Sequence, residues 1–216
     1  MYETTLRNFA NGKSSEDIIR EIDSTIERLH RAGSSEPVVH GPWSYDVKIL
    51  LTDTANQLAS LRGKIATSGM ETILSDDDAM LLACLVHDDQ APKTDRLADH
   101  IGDKRDLERL LYGISDQIDY AMKEAACFDR SFRECGVDGS ICADYDRLGA
   151  LKLCLLRNDI YTGGAETSLS ARSSIIIDYF LSAPNTNLRR LGFPDQVFGF
   201  RESYRKSAEA ATESPE

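Results

Sequence analysis

The stretch "LVHDDQAPKTD", residues 85–95, places His87, Asp88 and Asp89 together at the end of an apolar, helix-like run. Imidazole and carboxylate groups grouped in this way have two common uses. They bind a divalent metal that activates water, or they form the hydrated, charged end of a helix. Pro92 interrupts the helical pattern soon afterwards, which favours the hydrated helix end.

The metal-binding alternative has a family precedent in "LVHDDQ", which resembles the core of HD-domain phosphohydrolases. The resemblance implies a metal bound by His87 and Asp88, by an earlier histidine and by a later aspartate. His40 or His30 would be the earlier ligand, and Asp144 or Asp146 the later one. It also implies hydrolysis of a phosphate ester by metal-activated water.

A second acidic segment, "RNDIYTGGAE", resembles the magnesium-binding motif of class I terpene cyclases. The matching residues are Asn158, Asp159, Thr162 and Glu166, and "HDDQAPKTD" would be the second aspartate-rich motif. The resemblance implies an all-α fold and a magnesium-diphosphate site with oxygen ligands. Gly163 and Gly164 oppose it, because paired glycines favour a helix end where the motif needs one continuous helical face.

Two weaker resemblances concern other functions. His87 followed by Asp88 and Pro92 resembles the phosphoacceptor box of histidine kinases, which implies a phosphotransfer module. "FANGKSSEDIIREI" resembles the first helix of a LuxR-type helix-turn-helix, but its apolar spacing runs on without a turn. Neither resemblance outweighs the interpretation of residues 85–95 as a hydrated helix end. In that interpretation Thr94 caps a short helix in "TDRLADHIG", and His100 lies near the end of that helix.

Helices are needed to position these groups, and apolar residues recur at helical spacing almost throughout the chain. Ile18, Ile22, Ile26 and Leu29 predict one helix, capped by Ser14 or Ser15 and ended by Gly33. After the linker "SSEPVVHGP" a second seam predicts another helix: Val47, Leu51, Thr54, Leu58, Leu61 and Ile65.

The remainder of the chain continues the helical pattern. Ser75 is expected to cap a helix whose first turn holds three aspartates, 76–78. Residues 103–134 predict one long helix, or two with a bend near Phe128, and a further helix around Leu151 ends at "TGGAET". "SLSARSSIIIDYFLS" predicts another helix, although "SIIIDYF" also suits a strand, and "DQVFGFRESYRK" predicts the last. No internal repeat is evident.

Composition limits the function. The 216 residues carry a formal charge of −11, which opposes nucleic-acid binding because that binding requires cationic side chains. No apolar run has the ~20 residues that span a bilayer, and five cysteines without CxxC spacing suit reduced thiols in a cytoplasmic protein. Cys84 and Cys154 lie in apolar runs and are expected to be core residues.

The sequence therefore predicts an all-α, single-domain bundle of about six to eight helices over residues 1–206, with a disordered acidic tail at 207–216. The favoured function is binding or regulation through protein contacts, with a protein partner or as a homodimer through 43–66 or 103–134. The alternative is an enzyme that uses Mg or Mn on phosphate or diphosphate substrates, with metal ligands listed here: His87, Asp88, Asp89, Asn158, Asp159, Thr162 and Glu166.

Overall fold

The computed structural model describes residues 4–34, 43–87, 92–135 and 140–182, and the side chains of these residues outside 128–145. This part of the chain is all-α, as predicted, and contains seven α-helices and one two-stranded sheet. The helices are α1 (Leu6–Phe9), α2 (Ser15–Ser34), α3 (Ser44–Ser68), α4 (Asp76–Leu81), α5 (Lys104–Cys135), α6 (Ser140–Gly163) and α7 (Ala171–Ser182).

The apolar spacing locates α2 and α3 correctly. In α2, Ile18, Ile22 and Leu29 are buried, and Ser14 caps the helix by accepting a hydrogen bond from Asp17 N at 3.1 Å. In α3, all six residues of the predicted seam are buried. These two helices therefore form because each presents a continuous apolar stripe to the core.

The three aspartates after Ser75 lie in the first turn of α4, as predicted. Ser75 Oγ accepts from Asp78 N at 3.1 Å, and Asp78 Oδ2 accepts from Ser75 N at 3.4 Å, which is a capping box. Asp78 also pairs with Lys64 at 2.9 Å. The helix continues as one wider, π-helical turn, Leu82–Val86, whose five residues are all buried, and it reaches His87.

The segment 103–134 forms one long helix, α5, and no second helix begins near Phe128. It packs against α6 in antiparallel order, because Ser115 of α5 contacts Arg157 of α6 while Glu124 lies near Asp146. The contact buries Ile114, Ile118 and Leu151. Cys84 and Cys154 are buried, as expected for core residues.

The prediction of a short helix capped by Thr94 is wrong. Lys93–Arg96 forms a strand, β1, which pairs antiparallel with Ser168–Ser170, β2. A 3-10 turn at Leu97–Asp99 follows β1. Strands of four and three residues with mostly exposed side chains carry no alternating pattern, and their partners lie far apart in sequence, so periodicity could not reveal them.

The structure reveals an internal repeat that the sequence reading missed. "SGMETILS" at 68–75 matches "GGAETSLS" at 163–170, and both follow a long helix. Each forms a 3-10 turn that begins at a glycine with positive φ, +56° at Gly69 and +55° at Gly164. In each, a threonine hydroxyl donates to that glycine's carbonyl at 2.7 Å, from Thr72 and Thr167 respectively.

The repeat extends to the contacts around each turn. Leu6 N donates to Thr72 O at 2.8 Å, and Leu97 N donates to Thr167 O at 2.9 Å. The bridge between Thr5 and Ile73 corresponds to the pair of Arg96 and Ser168. Serine caps the next helix in both copies, since Ser170 Oγ accepts from Ser173 N as Ser75 Oγ accepts from Asp78 N. The described parts of residues 4–87 and 92–182 therefore share one order of elements, which is a short helical turn, two long helices, a 3-10 turn and a serine-capped helix, and they are called the two copies below.

Contacts group the described residues into two compact units, one made of 4–30 and 52–87 and the other of 31–34, 43–51, 92–135 and 140–182. Leu6, Ile18 and Leu58 are buried in the first unit, and Leu97, Ile114 and Ile177 in the second. The single domain over 1–206 stays a prediction. The predicted last helix and the tail at 207–216 lie outside the described residues. No helix in the described part is long and apolar enough to cross a membrane.

Candidate functional site

His87 lies at the end of α4, where its ring contacts the first two helices. Nε2 lies 3.0 Å from the carbonyl oxygen of Phe9, and Nδ1 lies 3.3 Å from Glu21 Oε2. Because a carbonyl only accepts, Nε2 carries a hydrogen and donates it. The side chain is 11% exposed. His87 therefore connects the end of α4 to α1 through Phe9 and places its ring beside Glu21 of α2.

The surroundings of His87 favour its neutral form. Burial, together with the charge of Lys13, lowers the pKa of His87, and Glu21 and the Phe9 carbonyl only partly offset this effect. Lys13 Nζ donates to Glu21 Oε1 at 2.5 Å. In this neutral form Nε2 keeps its hydrogen for the Phe9 carbonyl, and Nδ1, which then has only a lone pair, cannot donate to Glu21 Oε2 at 3.3 Å.

Of the other side chains that the phosphohydrolase resemblance implies, the structure describes those of His30 and Asp146. Asp88, Asp89 and His40 lie outside the described residues, as does the side chain of Asp144. His30 is exposed on α2. Asp146 is buried in α6, where burial and the charge of Glu124 raise its pKa to about 7.

The terpene-cyclase motif is divided by a helix end. Helix α6 stops at Gly163, and Glu166 lies in the following 3-10 turn, where Arg96 Nη1 is 3.7 Å from Glu166 Oε2. Thr162 Oγ1 donates to the carbonyl of Asn158 at 2.8 Å. The expected helix stop at Gly163 and Gly164 is confirmed, and one unbroken helical face with all the motif's ligands does not form.

Of the remaining motif residues, Asp159 pairs with a lysine of β1 and Asn158 is buried. Asp159 Oδ2 lies 3.7 Å from Lys93 Nζ. Within the described ranges, no three or more His, Cys, Asp or Glu side chains form a group that could hold a metal ion. The proposed Mg or Mn ligands stay a prediction.

The sequence reading missed a cluster of polar side chains in the second unit. It consists of Asp95 at β1, His100 after the 3-10 turn, and Ser174 and Asp178 on α7, and is called the His100 cluster below. His100 Nε2 lies 2.8 Å from Asp95 Oδ2, and His100 Nδ1 lies 2.6 Å from Asp178 Oδ1. Ser174 Oγ donates to Asp95 Oδ2 at 2.9 Å.

The His100 cluster stabilises a doubly protonated imidazole. Carboxylates only accept, so two ring contacts of this length require a hydrogen on each nitrogen. Asp178 foremost, then Asp95, raises the pKa of His100. His100 in turn lowers the pKa of Asp95, with Ser174 contributing. Asp178 lies 78 residues after His100, so no local sequence motif signals the cluster.

A second feature of this unit is a tyrosine-bearing face on the antiparallel pair α5 and α6. Arg157 Nε donates to Ser115 Oγ at 2.7 Å. Tyr112 precedes Ser115 by one turn and Tyr161 follows Arg157 by one turn, so the antiparallel register places both tyrosines on one face. Tyr112 is 75% and Tyr161 54% exposed. These four residues are called the tyrosine face below.

Comparison with known protein families, with curated proteins and with solved structures finds no match.

Proposed function

We propose that this protein is a binding module that recognises a basic segment of a partner protein through the tyrosine face. The observation that carries the proposal is the high exposure of Tyr112 and Tyr161, which the antiparallel register of α5 and α6 places on one side of the helix pair. Tyrosine gives a large contact area at a low cost in conformational entropy, and it is enriched at protein interfaces.

Charge supports a basic partner. Exposed Glu108 lies one turn before Tyr112, with its Oε1 3.9 Å from Lys104 Nζ, and exposed Asp116 lies one turn after Tyr112. The whole chain carries a formal charge of −11. Lysine and arginine side chains of a partner would meet these carboxylates and could also lie over the tyrosine rings. A second copy of the same acidic chain would meet like charge instead.

Arg157 gives the face a fixed centre. Its guanidinium is half-buried and donates to Ser115, and burial lowers the pKa of Arg157. An anchored side chain loses little entropy when a partner binds, so the face is preorganised.

Site-specific photo-crosslinking tests the proposal. A photoreactive phenylalanine analogue replaces Tyr112 or Tyr161 in the full chain, expressed in the cell that naturally makes it. The matched control replaces Tyr45, which is 73% exposed on α3. We expect positions 112 and 161, but not 45, to crosslink to one polypeptide through a lysine- or arginine-rich segment.

Affinity measurements complete the test. With the purified partner, Tyr112→Ala should weaken binding by at least about tenfold, whereas Tyr45→Ala should leave the Kd unchanged. Binding should also weaken as salt rises, because the contact is partly electrostatic. Crosslinking of the chain only to itself would replace the partner by a second copy, and equal crosslinking from all three positions would contradict the proposal.

A further inference from the structure

The His100 cluster occupies a place that is apolar in the other copy of the repeat. Counted from Leu6 and Leu97, His100 corresponds to Phe9. Counted from the caps Ser75 and Ser170, Ser174 and Asp178 correspond to Ala79 and Ala83. Phe9, Ala79 and Ala83 are all buried. At these matching positions one copy therefore has buried apolar residues, and the other copy has the polar and charged residues of the His100 cluster.

From this geometry we infer that the His100 cluster is a proton-dependent clamp, which holds α7 against the Leu97–His100 turn and releases it when His100 loses a proton. A neutral imidazole has one N–H and one lone pair. After proton loss, one of the contacts at 2.6 and 2.8 Å would therefore set a lone pair against a carboxylate oxygen.

The contact with Asp178 is the one that opens. Ser174 Oγ donates to Asp95 Oδ2 at 2.9 Å and Arg96 N donates to Asp95 Oδ1 at 3.1 Å, and these contacts hold the Asp95 carboxylate beside the ring, where it keeps the remaining N–H of His100. Asp178 has a side chain that is 63% exposed, so water replaces the imidazole there at little cost. The middle of α7 should consequently loosen first.

The surrounding charges do not replace His100. Arg96, the last residue of β1, has its Nε 3.9 Å from Asp99 Oδ2. Its Nη1 lies 3.7 Å from Oε2 of Glu166, which belongs to the 3-10 turn before β2. At the start of α5, Asp106 Oδ2 accepts from Gly102 N at 2.9 Å. The two carboxylates that contact the ring are those of Asp95 and Asp178.

The sign of the pH dependence follows from the proton balance. The closed clamp binds a proton on His100 that the open clamp releases. Closure is therefore complete below about pH 6.5, the ordinary pKa that His100 has in the open clamp. Closure is lost as pH rises through the higher pKa that His100 has in the closed clamp. Between these limits the opening equilibrium should increase by up to about tenfold per pH unit.

Hydrogen exchange of the full chain tests the clamp against its apolar counterpart. His100→Phe gives the second copy the residue that the first copy has. For amides of α7, the ratio of the wild-type exchange rate to the His100→Phe rate cancels intrinsic exchange, and we expect this ratio to rise with pH above 6.5. For amides of α4, the internal control, we expect a constant ratio. A ratio for α7 that does not change with pH would overturn the clamp.

Histidine NMR decides the question even if His100→Phe fails to fold. We expect the wild-type His100 resonance to titrate above pH 6.5, and Asp178→Asn to move its midpoint down toward 6.5. Asp99→Asn is the matched control, since Asp99 neighbours His100 in sequence and pairs with Arg96. A midpoint at or below 6.5, or equal shifts in both variants, would overturn the inference. Neither experiment depends on the tyrosine face, so this inference and the proposed function fail separately.

Discussion

Asp146 shows how burial changes the chemistry of a single side chain. The residue is 5% exposed, and the pKa of about 7 reflects the cost of placing its charge in the interior. Its counterpart in the first copy is the buried Leu51. Leu51 precedes Asp146 by 95 positions, which is also the distance between Thr72 and Thr167. The sequence identified Asp146 only as an alternative metal ligand, because burial depends on tertiary packing.

We predict that Asp146→Asn stabilises the protein at pH 8. The folded state holds a proton on Asp146 that the unfolded state releases above about pH 4, so the wild type loses stability as pH rises toward 7. Urea unfolding should show a gain of about 2–4 kcal/mol at pH 8 and little change at pH 4. Asp116→Asn, on the exposed side of α5, is the control, and an equal effect of both variants would contradict the prediction.

His87 is predicted to contribute to stability rather than to metal chemistry. His87→Ala leaves the Phe9 carbonyl without the N–H that His87 Nε2 donates to it, and it should cost about 1–3 kcal/mol. Because the pKa of His87 is lowered in the folded state, wild-type stability from this residue should fall as pH drops below about 6.5, and the variant should lose that dependence. Exposed His30→Ala should change the free energy of unfolding by less than about 0.5 kcal/mol.

At the scale of elements, apolar periodicity in the sequence predicts the long helices but does not predict the short strands. Val47 and Leu58 follow helical spacing and are buried, so packing and pattern agree. Lys93–Arg96 becomes a strand because its backbone finds a partner in Ser168–Ser170, and no side-chain pattern records that pairing. The repeat was missed for a related reason, since it is conserved in a short turn and in backbone contacts while the helices diverge.

The repeated turn provides a matched pair of glycine substitutions. Gly69→Ala and Gly164→Ala should each destabilise the protein by about 1 kcal/mol, because both positions have positive φ. An added Cβ would meet no neighbour within 4 Å at either position, so the loss would come from the backbone conformation alone. Chemical denaturation measures the two values.

Gly63→Ala is the control, because Gly63 lies inside α3 and also has no atom within 4 Å of an added Cβ. It should stabilise the helix by about 0.5–1 kcal/mol. A large difference between the two turn variants would show that the turns are not energetically equivalent.

At the scale of the whole molecule, the sequence predicted the all-α class but could not assemble a site. The terpene-cyclase pattern needed Thr162 and Glu166 on one helix, and Gly163 ends that helix. The groups that do meet, His100 with Asp95 and Asp178, come from a strand end, a turn and a distant helix. Such convergence depends on tertiary packing, which no local spacing encodes.

Metal titration separates the proposed binding function from the metal-dependent alternative. If the protein is a binding module, millimolar MgCl2 or MnCl2 should leave its Tm unchanged. A site filled at a hundred times its Kd would stabilise the folded state by about 2.7 kcal/mol, which is a shift of several degrees. A shift that disappears in Asp88→Asn with Asp89→Asn would favour the enzyme interpretation instead.

Because the "GxETxLS" turn occurs twice with the same internal contact, one half of the chain serves as a reference for the other. Exchanging residues at matching places between the halves, one pair at a time, would show which differences alter stability and which alter binding.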